Sequence, residues 1–510
     1  MPSKEPSVAP SPSPEEVFLA WGPSEADMAS ARKAAQAMTL EEVAGQVIIA
    51  RFSGRDATAL SNLVTTYHLG GVAFGTSNVG TASLTRKMTA AAAAATVSDG
   101  RDWPLIIGTD QEGGTVARLA KIAPKLPTFL AAGAAVDKDR VRVAYSGAGA
   151  SMVALGFNVD FAPVADVTIG LADPIIRSRS AGDDPLNVAA TVVATMQGYL
   201  DASIVPAVKH FPGHGSVTGD SHHGVPVQGA SIMELEDRDL VPFVAAIDAG
   251  APMVMMSHIA VEDWGPLPTS VNPEAYAYLR DNLGFTGVVV TDSLGMGAVI
   301  HRGGKYGPGV AALLAGADLV LMPADTATAH GQIVAAVLDG VLTRERLDES
   351  AARVIAMMRY QASLGPLSNP EPDYAKDLTL AGATVATAEC GTRLVGSRVT
   401  ISGGYEAERD ALAAALKARG VSIGGGTTVR LLGSPEGSGN ADVVVAMDGP
   451  WGLPGSTATA YVGLYGRGEP SLEALADILV GAEQPGGHWP VGLTGIPYPT
   501  CPTGTFNPGI

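Results

Sequence analysis

Positive charge is scarce in this chain, and so is cysteine. The 510 residues carry 33 Lys and Arg against 51 Asp and Glu, a formal net charge of −18. A surface that acidic repels phosphate backbones and anionic lipid, which sets nucleic acid and membrane surfaces aside as partners. The two cysteines are Cys390 and Cys501. Neither belongs to a CxxC or CxxH pair, so a structural zinc site is not expected. One bridge between them is open, but spacing alone does not show it, and two free thiols are the expectation. No stretch reaches the ~18 consecutive apolar residues of a transmembrane helix. The first residues, MPSKEPSVAPSPSPEE, lack the apolar core of a signal peptide. Their Pro and Ser content reads as an extended, disordered tail over 1–29. The expected location is the cytoplasm. The alternative is a cell-surface or secreted form whose export signal has been removed. Charged residues are few as well, 16% against 46% apolar, which is globular composition with ample material for a core. The length points to two domains.

From 30 to 363 short apolar runs alternate with longer helical stretches. Eight strands are expected, at 45–52, 70–74, 104–110, 157–167, 206–213, 252–259, 287–293 and 318–325. Their Val- and Ile-rich, nearly continuous hydrophobicity suits strands buried on both faces. Helices are expected at 83–98, 138–154, 186–200, 232–249 and 327–341, where Ala and Leu favour that state. Eight such units predict a (β/α)8 barrel. Three prolines in GPLSNPEP, Pro366, Pro370 and Pro372, mark a linker over 364–375. Beyond it, 376–510 reads as a smaller α/β sandwich domain with a mostly parallel sheet. Its glycines 424–426 lack the Lys-Ser/Thr of a phosphate loop and read as a plain turn.

Polar residues gather where the expected barrel strands end. Asp110 ends the third, Asp166 the fourth, Lys209 and His210 the fifth, Ser257 and His258 the sixth, and Asp292 the seventh. Barrel enzymes build their sites on that face. The densest segment is KHFPGHGSVTGDSHHGVP, 209–226, which holds four of the nine histidines. A metal site needs ligating histidines on one strand face, and no two of these stand two apart. No metal and no organic cofactor are therefore expected. For a lone polar loop residue the ordinary role is hydrogen-bonded scaffolding. Asp166 reads as a brace for arginine or backbone, and His258 as structural or lining. Met253, Met255 and Met256 read as core. Trp264 divides evenly between sugar stacking and packing.

The segment 209–226, with TDQEGG (109–114), RSRSAGDDP (177–185) and VVVTDSLGM (288–296), resembles glycoside hydrolase family 3. More narrowly it is similar to that family's β-N-acetylglucosaminidase branch. The likeness runs through the barrel into YVGLYGRGEPS (461–471). It implies Asp292 as nucleophile, His222 as acid/base and Asp220 as the aspartate that orients it. It implies Asp110, Arg118, Arg179, Lys209 and His210 as sugar contacts. One departure is Thr115, where the family commonly has Arg. The implied reaction is retaining hydrolysis of terminal β-linked N-acetylglucosamine, from peptidoglycan fragments, through a glycosyl–Asp intermediate. The physics agrees: retention needs a nucleophile on one face of the sugar and a proton donor on the other. Histidine, with an intrinsic pKa near ~6.5, exchanges protons readily at neutral pH. Two rivals remain. A phosphorylase would use phosphate as acceptor in the second step. An inactive sugar-binding protein is disfavoured because Asp220, His222 and Asp292 are all present.

Overall fold

Each expected run contains a strand. In the computed structural model, which describes residues 17–365 and 373–502, they are β1 Ile48–Arg51, β2 Gly71–Phe74, β3 Ile106–Thr109, β4 Val159–Asp160, β5 Val205–Phe211, β6 Met253–Met256, β7 Val288–Thr291 and β8 Val320–Leu321. All are parallel, and spatial order follows chain order. β8 returns to β1 through Ile48 and Val320, and a bridge from Val290 to Leu319 joins β7 to β8. The sheet thereby closes into a (β/α)8 barrel. Its side chains are buried almost throughout, Met253, Met255 and Met256 included.

The helices follow the expected pattern with one break. The stretch 232–249 is two helices, Ile232–Glu236 and Val241–Asp248. Pro242 lies in the first turn of the second, where its missing N–H costs nothing; in mid-helix it would leave a carbonyl unpaired. At the other end of the barrel a helix begins at Glu25, inside the stretch read as tail. Ser24 caps it in a reciprocal box with Asp27, and the helix packs on Arg344–Leu364. The prolines of the expected linker lie outside the described residues. The chain is helical again from Tyr374 to Gly382.

The second domain carries a six-stranded sheet: β9 Thr384–Thr387, β10 Arg398–Gly403, β11 Ser422–Ile423, β12 Thr427–Leu432, β13 Val443–Ala446 and β14 Ala460–Gly463. The order is β9-β14-β13-β12-β10-β11, and only β9 with β14 is antiparallel. Helices Glu406–Ala418 and Glu469–Val480 bury Leu412, Leu416, Leu472 and Leu475 with Val399, Val429, Val443 and Val445. Glycines 424–426 form a turn between β11 and β12, all with positive φ. The expectation of free thiols is corrected: Cys390 and Cys501 form a disulfide with Cα atoms 5.4 Å apart. Cys501 N–H donates to Val385 O, and Thr500 bridges Ala386, so the final described residues return to β9.

Candidate active site

The strand ends deliver their polar side chains into one cavity of about 350 Å³. Seven of the eight expected site residues line it: Asp110, Arg118, Arg179, Lys209, His210, His222 and Asp292. The eighth, Asp220, stands behind His222. Thr115 is exposed and does not line the cavity, so the departure from the family pattern falls outside its wall.

Successive residues of a regular strand face opposite sides. Lys209 and His210 nevertheless both reach the cavity, because the pairing of β5 with β6 shifts register between Lys209 and Phe211. Lys209 Nζ stands 2.9 Å from Asp110 Oδ1 and 2.6 Å from Glu112 Oε1. Arg179 grips the same Glu112 with two bonds, 2.8 and 2.9 Å. Glu112, within TDQEGG, has no role that its local sequence reveals. It is the buried centre of the cavity floor. Burial alone would raise its carboxyl; the Arg179 and Lys209 charges outweigh burial and hold it well below the usual carboxylate range. Burial lowers Lys209, yet Asp110 and Glu112 push it up to about 12, so it stays a cation.

Asp166 braces histidine and backbone. Its Oδ2 takes the His210 ring at 2.7 Å, and its Oδ1 accepts the amides of His210 and His214. His214, also unassigned from sequence, is buried and holds Ser221 Oγ at 3.0 Å through Nε2. Ser221 separates Asp220 from His222, so this bond ties the histidine loop to the barrel. Gly213 makes the turn possible. Its φ is +129°, and a Cβ there would come within 2.8 Å of the Asp239 side chain.

His222 is the exposed member, with 57% of its side chain accessible. Its Nδ1 is 2.7 Å from Asp220 Oδ1, which also accepts the His222 amide at 2.8 Å. These bonds outweigh slight burial and hold the Asp220 carboxyl below its ordinary value. With Nδ1 engaged by Asp220, Nε2 is the ring nitrogen left without a hydrogen bond among the described residues. Asp292 follows β7 and receives the Ser293 amide at 2.6 Å. Burial would raise it; the imidazoles of His258 and His210 and that amide outweigh burial and keep it below the ordinary carboxylate value. His258 is structural: buried, with Nδ1 on Ser270 Oγ and Nε2 on the Ser293 carbonyl. Trp264 packs, its ring stacked on Phe211 and tilted against Tyr278.

The second domain supports this floor. In RSRSAGDDP, Arg179 holds Glu112 while Asp183 accepts Gly492 N–H from the second domain. In YVGLYGRGEPS, the Tyr465 carbonyl accepts Thr128 N–H from the barrel.

A closed barrel whose C-terminal face holds three carboxylates, three histidines and three cations in one cavity has the groups that nucleophilic and acid/base hydrolysis needs, glycoside hydrolysis included. The family model for the glycosyl hydrolase family 3 N-terminal domain matches residues 39–357. The chain belongs to glycoside hydrolase family 3 and is a glycoside hydrolase. The β-hexosaminidase LpqI of Mycobacterium tuberculosis is 35% identical over 313 residues, 59% of this chain and 79% of that protein. A β-hexosaminidase of Xylella fastidiosa is 38% identical over 248 residues, 47% of this chain and 72% of that protein. A solved family 3 β-N-acetylglucosaminidase from Paenibacillus sp. superposes with a TM-score of 0.78 at 26% identity. The match covers 90% of this chain and all of that one.

Proposed function

We propose that the chain is a retaining exo-β-N-acetylglucosaminidase. The observation that carries this reading is that Asp292 and His222 line one cavity whose floor is Asp110, Glu112, Arg179 and Lys209. In the first step an Asp292 carboxylate oxygen attacks the anomeric carbon and the bond to the leaving oxygen breaks. His222 Nε2–H donates its proton to that oxygen, and Asp220 orients the ring and stabilises the imidazolium. In the second step His222 takes a proton from water, which attacks the same carbon and frees Asp292. Asp110, Arg118, Arg179, Lys209 and His210 hold the sugar. The relatives named β-hexosaminidase and β-N-acetylglucosaminidase support N-acetylglucosamine as that sugar. Peptidoglycan fragments are the proposed source. The Cys390–Cys501 bridge favours the exported of the two locations, because disulfides persist in oxidising compartments.

The test is a chromogenic β-N-acetylglucosaminide with and without phosphate, followed by identification of the sugar. Free N-acetylglucosamine released first as the β-anomer is the expected product. N-acetylglucosamine 1-phosphate would make the enzyme a phosphorylase. An α-anomer, or no release, would contradict the reading.

A further inference from the structure

Asp160, the last residue of β4, is fully buried and has no part in the bond-making steps. It does not line the cavity but is paired with Thr109, at the end of β3. Its Oδ1 accepts the Gln111 amide at 2.8 Å. Gln111 is buried too, and two more bonds hold it. Its carbonyl accepts the Tyr199 hydroxyl at 3.3 Å, and its Oε1 accepts Leu119 N–H at 2.9 Å. On either side of Gln111 stand Asp110 and Glu112, and beside Leu119 stands Arg118. All three line the cavity. The Asp160–Gln111 bond thus fixes the backbone from which two carboxylates of the floor project, and through Gln111 it reaches the arginine.

The charge state of Asp160 follows from its surroundings. Among the described residues Oδ2 has no hydrogen-bond partner, so an ionised Asp160 would bury charge on an oxygen that lacks a donor. The charged and titratable groups around it are Asp110 and Glu112 from the loop after β3, Lys209 from β5, and the phenols of Tyr145 and Tyr199 from helices Lys138–Val153 and Pro185–Asp201. Burial raises both phenols above their ordinary value, so they stay neutral. Lys209 is already paired with Asp110 and Glu112, and Arg179 with Glu112. Two cations and two carboxylates balance in that network. A third carboxylate beside it would add unmatched negative charge, whereas a carboxylic acid adds none. In keeping with this, burial pushes the Asp160 carboxyl up to about 7 and Asp110 adds to the rise, against the Gln111 amide, the Tyr199 hydroxyl and Lys209.

We infer that Asp160 is a positioning residue that keeps its proton in the working enzyme. As a neutral acid it holds Gln111, and with it Asp110, Glu112 and Arg118, in the arrangement that receives the sugar. This rests on the glycosidase reading. Ionisation sets a new charge against Asp110 and draws Lys209 from its partners, so the floor loses that arrangement as pH rises without any change at Asp292.

The test is kcat/KM against pH for an activated aryl N-acetylglucosaminide, whose leaving group needs little protonation by His222. In wild type it is expected to fall about tenfold between pH ~7 and ~9, as Asp160 ionises. Asp160→Asn keeps the acceptor for Gln111 and has no ionisable group. It is expected to be active at pH ~6 and to lack the alkaline fall. A purely structural role would change the rate at every pH and leave the shape of the profile alone. Infrared spectroscopy reads the proton directly, with no substrate. The carbonyl band of an un-ionised carboxylic acid is expected in wild type at pH ~6, weakened at ~9, and missing from Asp160→Asn. An Asp160→Asn profile that falls like wild type, a folded but inactive Asp160→Asn, or a wild type without the band overturns the inference alone. A wild type that cleaves no glycoside overturns the glycosidase reading and the positioning role with it, while the band still decides whether the proton is held.

Discussion

Glu112→Gln removes one negative charge from beneath the sugar cavity and leaves the side-chain shape nearly intact. In the native floor this carboxylate faces Lys209 at 2.6 Å and Arg179 at 2.8 Å, with Lys209 2%, Glu112 3% and Arg179 17% exposed. Breaking a buried ion pair from one side costs about 3–5 kcal/mol, because a buried charge is left without its counterpart. Lys209 retains Asp110 at 2.9 Å, and the glutamine oxygen still accepts from Arg179. The cost therefore falls at the low end, about 3 kcal/mol. At ~2.1 cal/mol/K of unfolding entropy per residue, a barrel of roughly 330 residues loses about 4 °C in Tm. The pH dependence has a definite sign. The folded Glu112 carboxyl is held below its ordinary value, so its stabilisation is complete above the unfolded value near ~4.3 and is lost as pH falls toward the folded one. About 1.4 kcal/mol should disappear for each pH unit below ~4.3. Urea unfolding of both proteins at pH 7 and down to about 3.5 measures the gap. A gap under ~1 kcal/mol at pH 7, or one that does not narrow in acid, would refute the reasoning.

His222→Ala should slow disaccharide hydrolysis by roughly 10²- to 10⁴-fold and an activated aryl glycoside far less, since a good leaving group needs little protonation. Azide should partly restore the second step, and Asp220→Asn should show a milder form of the same pattern. Equal losses on both substrates without rescue would remove His222 from the acid/base role. The disulfide closes a long loop, with a sequence separation of 111 residues, and chain entropy puts its contribution near ~4.7 kcal/mol for a loop of roughly that length. Reductant, or the Cys390→Ser/Cys501→Ser double variant, should lower the unfolding temperature of the second domain; unchanged unfolding under reductant would contradict the bridge. The cavity histidines His210 and His214 are engaged by Asp166 and Ser221. Turnover should therefore survive prolonged chelation, and loss with recovery on added zinc would count against a purely proton-based role.

The barrel was legible because a strand buried on both faces is a continuous apolar run, and because each run ends in a polar residue. Asp110, Lys209, His210 and Asp292 could be picked out for that reason alone. What joins them could not. Arg179 and Glu112 are 67 residues apart, and Asp166 and His214 are 48 apart. No local pattern reveals such pairs, so the roles of Glu112 and His214 are not legible in TDQEGG or in the segment 209–226. Strand alternation would place Lys209 and His210 on opposite faces, and only the register shift brings them together. The disulfide was missed for a similar reason: a spacing of 111 residues says nothing about distance until β9 and the final described residues are placed side by side. Two local signals go further than periodicity: Pro242 divides the stretch 232–249, and the Ser24/Asp27 capping box starts a helix inside 1–29.

The central claim is that a covalent bond forms on Asp292, and trapping tests it most directly. A fluorinated N-acetylglucosamine reagent, with a good leaving group and a slowed second step, should inactivate the enzyme with time. Mass spectrometry of the digested protein should then find one sugar on the peptide that contains Asp292, and Asp292→Ala should show neither labelling nor turnover. A label on another residue, or an Asp292→Ala variant with near-wild-type activity, would contradict the account.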